Sequence, residues 1–365
     1  MKKLSSFLFV CLIIVLSSCT QNNGEKYIHF TRADFKTTVN LSTPETIILS
    51  DIKYAKAYHV MKDSILLISN SGKSPYFIEI FSLNTRERIL KLALKGNGPG
   101  EFLSCDIYVP SNDQTFFYIR DQRKIYTIDL DSTLEHKKLY VTNSFRYNPE
   151  IHPYSEVCFP DSISYFGYNK WYINDSTFSN HVPAVKRYSI LKSDNTNSDE
   201  SEDYNKFLVW AVNNAHLIMN PKNKQLWLAS AHQDIIQIFN DSLELLKTLH
   251  GPDNFNVKYE LIKSNNSPIS YVNFMQDNEF RSYGGCDQKD DYLYIIYKGV
   301  NRKFSTKQEL QSSEIFKIGW NGELLCNYKM DRNINTISIT SDNRYMYCTC
   351  RDSTDSDIYL VKYKL

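Results

Sequence analysis

From residue 57 onward the chain keeps returning to one pattern. Short runs of alternating apolar and polar residues are broken by turns of Asp, Asn, Ser and Gly. A period of two puts alternate side chains on one face, so each run reads as a half-buried β-strand. In the first unit the runs are 57–61, 64–69, 77–83 and 88–94. Four antiparallel strands in about 40 residues is the size of one propeller blade. A second unit follows at 106–109, 115–120, 124–130 and 136–141. The third is less regular, with runs at 156–159, 163–168, 186–192 and 207–212 around the acidic stretch 193–205. That stretch lacks the spaced ligands and turn glycine of a calcium loop and reads as a solvated insertion. The fourth unit spans 216–249 and the fifth 280–329, while the last offers three runs, 336–340, 344–350 and 357–364. It is one strand short. An open edge is a liability, and 37–41 or 46–50 supplies the missing strand. The expected fold is therefore all-β: a six-bladed β-propeller of four-stranded antiparallel blades, closed by an N-terminal strand joining the last blade, in one domain over 37–365.

Between the first and second units stands Lys95-Gly96-Asn97-Gly98-Pro99-Gly100-Glu101-Phe102. Glycines permit positive φ and Pro99 lacks a ladder donor, so no strand continues through it. Gly96, Gly98, Pro99, Gly100, Glu101 and Phe102 form a structural hinge from one sheet to the next. A weaker echo recurs as Gly251-Pro252-Asp253-Asn254-Phe255. A phosphate-binding reading fails, because Glu101 stands where GxGxxG needs its last glycine and Pro99 removes an amide.

Residues 1–18 read as a leader outside the fold. Lys2 and Lys3 precede an apolar run over 7–16, which is shorter than the roughly 20 residues needed to span a bilayer. Ser17 and Ser18 then precede Cys19, and this end resembles the bacterial lipobox, whose cysteine is acylated and becomes the new N-terminus. The alternative is an ordinary cleaved signal peptide. With the lipobox reading, Cys19 is the lipidation site, its partner is membrane lipid, and 19–36 is a tether. The expected address is the cell envelope, at the outer membrane. The whole chain carries 42 basic and 41 acidic residues. Near-neutral charge with no basic stripe excludes a nucleic-acid role.

Six cysteines follow the leader: Cys105, Cys158, Cys286, Cys326, Cys348 and Cys350. Their wide, irregular spacing fits free, mostly buried thiols better than a disulfide framework. No CxxC pair occurs, and the eight histidines are scattered without HxH or HExxH spacing, so no metal or other cofactor is expected.

The run KGNGPGEF, placed after a fourth strand, resembles the GxGPGEF signature of the six-bladed TolB-like β-propeller lipoproteins of Bacteroidota. The short leader, the length and the GPDNF echo extend the resemblance over nearly the whole mature chain. It implies fold and lineage, and a propeller face that binds peptide or protein partners.

For chemistry, no GxSxG elbow exposes a nucleophile. Tyr165, Tyr168, Trp171 and Tyr172 cluster with Asn169 and Asn174 in a loop-like stretch. Aromatics beside amides stack on sugar rings or grip an extended peptide, although blade packing also consumes aromatics. Trp210 and Trp227, inside strand patterns, read as core. The leading expectation is a non-catalytic, lipid-anchored binding module for a protein, peptide or glycan. Its alternative is an enzyme acting on a glycan or peptide at the mouth of the propeller channel.

Overall fold

The computed structural model describes residues 27–49, 55–70, 73–109, 115–121, 124–146, 156–158, 164–168, 172–173, 185–189, 207–208, 214–255, 257–262, 270–275, 279–301, 313–351 and 358–365. Antiparallel strands in chain order build the blades. The first blade comprises Ala55–Met61, Ile65–Asn70, Tyr76–Ser82 and Arg88–Leu94. The second comprises Asp106–Tyr108, Phe116–Asp121, Lys124–Asp129 and Val141–Arg146. The third comprises Ala215–Met219, Leu226–Ser230, Ile235–Phe239 and Leu245–His250. The fourth comprises Phe280–Gln288, Tyr292–Asn301, Glu314–Gly319 and Leu324–Met330. The fifth comprises Ile334–Ile339, Tyr345–Arg351 and Ile358–Lys364, completed by Glu45–Ile47 from the N-terminal segment.

Five four-stranded blades therefore stand among the described residues, where six were expected. The irregular third unit accounts for the difference. It forms a three-stranded sheet of Glu156–Cys158, Ser164–Tyr168 and Val185–Ser189. The run expected as its fourth strand, seen at Phe207–Leu208, pairs elsewhere: antiparallel with Tyr172–Ile173 and parallel with Ser270–Phe274. Together with Tyr259–Ile262 these strands make an accessory four-stranded sheet outside the blade pattern. A second departure lies in the second blade, whose last strand starts at Val141 after a helix over Leu130–His136. Asp129 caps that helix by accepting from Ser132 N at 2.7 Å, and Lys137 ends it in the left-handed conformation.

Second strands often read as continuous apolar runs because neighbouring blades cover both of their faces. Leu66, Leu67 and Ile68 are fully buried, as is every residue from Leu293 to Tyr297. The core lies in the seams between blades rather than inside any one of them. One cluster joins Tyr294, Ile296 and Ile315 of the fourth blade to Ile337, Met346 and Val361 of the fifth. Another joins Leu67, Ile78 and Ile80 of the first to Phe117 and Ile128 of the second. All six cysteines are free thiols, with Cys105, Cys326, Cys348 and Cys350 buried.

The N-terminal segment is more than the single closing strand expected. Tyr27–His29 pairs parallel with the outer strand of the third blade, and Thr37–Leu41 pairs parallel with that of the fourth. Glu45–Ile47 then adds antiparallel to the fifth. Between the first two pairings the chain turns through a 3-10 turn, Arg32–Asp34. Thr31 N and Oγ1 both donate to Asp34 Oδ2, at 2.7 and 2.9 Å. Phe30 and Phe35 are driven into the seam against Phe316. One strap of about twenty residues thus laces three blades.

Replacing Phe35 by Ala should remove a buried anchor of this strap and cost about 3 to 5 kcal/mol. Urea unfolding checks it: a change in free energy under about 1 kcal/mol would mean the strap contributes little to closure.

Candidate functional site

In a four-stranded antiparallel blade, the loop after the second strand and the loop leading to the next blade leave at the same end. Hydrogen bonds tie these loops together around one face of the ring. Lys95 N donates to Pro75 O at 3.0 Å, Gly251 N to Asp234 O at 3.0 Å, and Met330 N to Ser313 O at 2.9 Å. Ser104 N likewise donates to Asp121 Oδ1 at 2.9 Å. The glycine turn, the GPDNF turn and the Asp331-Arg332-Asn333 turn therefore occupy equivalent places.

The glycine turn closes upon its own glutamate. Glu101 Oε2 accepts from Gly98 N at 2.7 Å, and Glu101 N donates to Gly98 O at 3.1 Å. The carboxylate lies so close to Gly96 that a Cβ there would stand 1.9 Å from Oε2. Gly100 has φ +81°, a conformation L side chains rarely adopt. Phe102 N donates back to Leu94 O at 2.9 Å, and its ring is buried edge-on to Tyr126. These contacts explain why glycines and an acid stand together here: the turn's own amide binds the acid.

The GPDNF turn holds the densest charge cluster. Arg32 from the strap donates Nη1 and Nη2 to the two oxygens of Asp253, at 2.5 and 3.1 Å, and Nε to Glu314 Oε1 at 2.7 Å. Tyr297 donates its hydroxyl to Asp253 Oδ2 at 2.8 Å, and Tyr283 to Gly251 O at 2.5 Å. Both carboxylates hold the guanidinium firmly protonated despite its partial burial. Asp234 sits beneath them, 1% exposed. Its Oδ2 accepts from the amides of Asp253 and Asn254, both at 2.7 Å, while Oδ1 has no hydrogen-bond partner among the described residues. Burial, helped by the charge of Asp253, pushes its pKa up to about 6, against the pull of the two amides. A strapped guanidinium between two carboxylates is a clasp with its charges satisfied, and it presents no free nucleophile.

A second seam, between the fourth and fifth blades, holds Lys298 half-buried. Its ammonium donates to Ser313 Oγ at 2.9 Å, to Ile334 O at 2.5 Å and to Asn333 Oδ1. Burial, with repulsion from Arg281, brings its pKa down to about 7. Sequence inspection overlooked Lys298, Arg32 and Asp234 alike; the apolar run before Lys298 was the one available signal.

The aromatic candidates fall as follows. Tyr165 and Tyr168 lie on the second strand of the three-stranded sheet, and Tyr172 on the accessory sheet. Trp171, Asn169, Asn174 and Trp210 lie outside the described residues, as does Cys19. Tyr168 thus ends a strand of the three-stranded sheet, and Tyr172 begins a strand of the accessory sheet. The accessory sheet meets the third blade through Phe274, which packs edge-on to His232 at 5.0 Å. Nearby in the chain, Phe255 of the GPDNF turn stacks on Phe280 of the fourth blade at 4.1 Å. Trp227 is fully buried, edge-on to Trp320. Among the described residues no group of three or more His, Cys, Asp or Glu could hold a metal ion.

With this geometry in place, comparison with known proteins gives three findings. The model of a family described as TolB-like 6-blade propeller-like matches residues 34–342. No curated protein matches the chain. Among solved structures, a member of the DUF4221 family from Bacteroides vulgatus superposes with a TM-score of 0.52 at 10% identity, covering 89% of this chain and 94% of that one. The β-propeller domain of Myceliophteria thermophila Cps50 (Swd1) gives 0.42 at 10% identity, covering 88% and 100%. Kuenenia stuttgartiensis hydrazine synthase gives 0.39 at 12%, covering 84% and 82%. Of these three, the first bears on this chain, and on its fold alone.

Two outcomes follow from the turns. Gly96→Ala should destabilise by about 1 to 3 kcal/mol, through the clash with Glu101. In an Glu101→Ala background the same change should cost much less; additive costs in a double-mutant cycle would contradict the packing explanation. For Asp234, a folded pKa near 6 lies above the ordinary 3.8, so its stabilisation is full below pH 4 and is lost as pH rises through 6. The free energy of unfolding of wild type relative to Asp234→Asn should therefore fall by roughly 2 kcal/mol between pH 4 and pH 7. A flat difference across that range would show that the carboxyl ionises freely in the folded state.

Proposed function

The chain belongs to the TolB-like 6-blade propeller-like family, and we propose that it is a lipid-anchored, non-catalytic binding module of the cell envelope. Its ligand is an extended peptide or a glycan, taken on the loop face of the ring. One observation carries this reading. The accessory sheet departs from the blade pattern, and the aromatic candidates are divided between it (Tyr172) and the three-stranded sheet (Tyr165 and Tyr168). Insertions at the loop end of a rigid scaffold are where binding groups concentrate. Aromatic and amide side chains in that stretch suit sugar rings and extended backbones alike. The charged clasp, and the glycine turn between the first and second blades, have polar groups engaged within the fold, which leaves them as scaffold. Cys19 supplies the anchor, with 1–18 removed and a short polar tether before the packed strap. Among the described residues no helix is long and apolar enough to cross a membrane.

A thermal-shift panel of oligosaccharides and peptides on the chain from Thr20 onward tests the reading. A ligand at 100 times its Kd adds about 2.7 kcal/mol to the folded state. A hit is expected to vanish in Trp171→Ala and Tyr172→Ala variants that melt normally without ligand. A hit that survives both changes, or that is turned over by the wild type, would overturn the proposal.

A further inference from the structure

We infer that the outer edge of the third and fourth blades rests on the lipid bilayer, holding the ring on its side with the loop face turned away from the membrane normal. The inference builds on the lipid-anchor reading and deepens it. Cys19 and Tyr27 are eight positions apart. Fully extended at ~3.5 Å per residue, that link reaches about 28 Å. A propeller of this length has a radius of gyration near 20 Å and is roughly 50 Å across. The tether therefore cannot carry the acyl chains around the ring to the first or second blade. Where it ends decides which edge meets lipid.

The tether ends on an apolar edge. Tyr27 and Ile28 are 44% and 37% exposed on the added strand, and Leu246 is 44% exposed on the outer strand beside it. Val39, 39% exposed, continues the edge on the fourth blade. The two blades are bridged here by Lys247 Nζ, which donates to Asn321 O at 3.2 Å. Tyr27 packs against the rings of His29 and His250, with its hydroxyl 2.9 Å from His250 Nδ1. A half-exposed tyrosine of this kind suits the membrane interface, where one end of the ring is apolar and the other wet. Charged groups of both signs are engaged nearby: Lys36 pairs with Glu323, and Glu244 accepts from Asn240 Nδ2 at 2.8 Å. Contact should therefore depend on apolar side chains and be indifferent to anionic lipid.

Ile89 and Val141, on the outer strands of the first and second blades, are 43% and 45% exposed. They match the proposed edge in exposure and differ in place, which makes them controls. The experiment uses the full chain, acylated in cells and purified into phosphatidylcholine vesicles. A benzophenone photo-crosslinker replaces Leu246, Val39, Ile89 or Val141 one at a time, in variants shown to melt normally. Lipid adducts at Leu246 and Val39 should exceed those at Ile89 and Val141 several-fold, unchanged when anionic lipid is added. Equal yields at all four positions, with the protein still vesicle-bound, would overturn the edge and leave the anchor standing. So would adducts at Leu246 and Val39 to a second protein copy in place of lipid. Membrane retention of a processed Cys19→Ala chain would instead overturn the anchor, and the inference with it.

Discussion

Closure of the ring depends on the strap that runs from Tyr27 to Ile47. Each blade buries its two faces against its neighbours, so its stability rests on having a neighbour on both sides. A gap in the ring would expose a seam such as that of Leu66 and Phe81 with Tyr347 and Leu360. Glu45–Ile47 fills the last outer position at that seam. Upstream, Phe30 and Phe35 wedge the third and fourth blades together, and Arg32 ties both to the strap through Asp253 and Glu314. Such a guanidinium is costly to strand: removing one carboxylate would leave a half-buried charge short of its partner. The strap is therefore best seen as a component of two seams and one blade.

Equivalent turns on the loop face solve one geometric problem with different chemistry. Each must leave an outer strand, drop to the ring axis and begin the next inner strand. At Gly96–Phe102 the solution is a glycine loop folded upon Glu101, stitched by a backbone bond from Glu101 to Gly98. At Gly251 it is close approach: a Cβ would stand 2.1 Å from Phe30 O, so only glycine lets the strap pass. At Asp331 it is a hydrogen bond from Tyr363, beside an Asp331–Arg332 pair. These turns are scaffold, and the accessory sheet is a part of the fold whose presence the scaffold does not require.

Much of the blade pattern was legible. The runs of the first, fourth and fifth units fall within a few residues of the strands observed, because alternation and polar turns are local signals. The blade count was not legible. Phe207–Leu208 looks like a fourth strand by composition, yet it pairs parallel with Ser270–Phe274, some sixty positions away. Leu130–His136 fills the connection expected between the runs 124–130 and 136–141, and its capping aspartate, Asp129, was the signal passed over. The clasp was invisible for a similar reason. Arg32 and Asp253 are 221 positions apart, and neither stands in a motif that announces the other.

What the sequence determined by itself was the repeating unit of the fold: antiparallel strands in fours, with polar or glycine turns between them. Those are consequences of side-chain period, backbone freedom and hydropathy, all set by near neighbours in the chain. Tertiary structure decided which strands share a sheet, how many blades are complete, and what the N-terminal segment touches. It also decided that Asp234 is buried and Lys298 half-buried, and so which charges the fold must hold against desolvation. Such outcomes depend on free-energy differences between alternative pairings of distant segments, and a local pattern carries no record of the partner that wins.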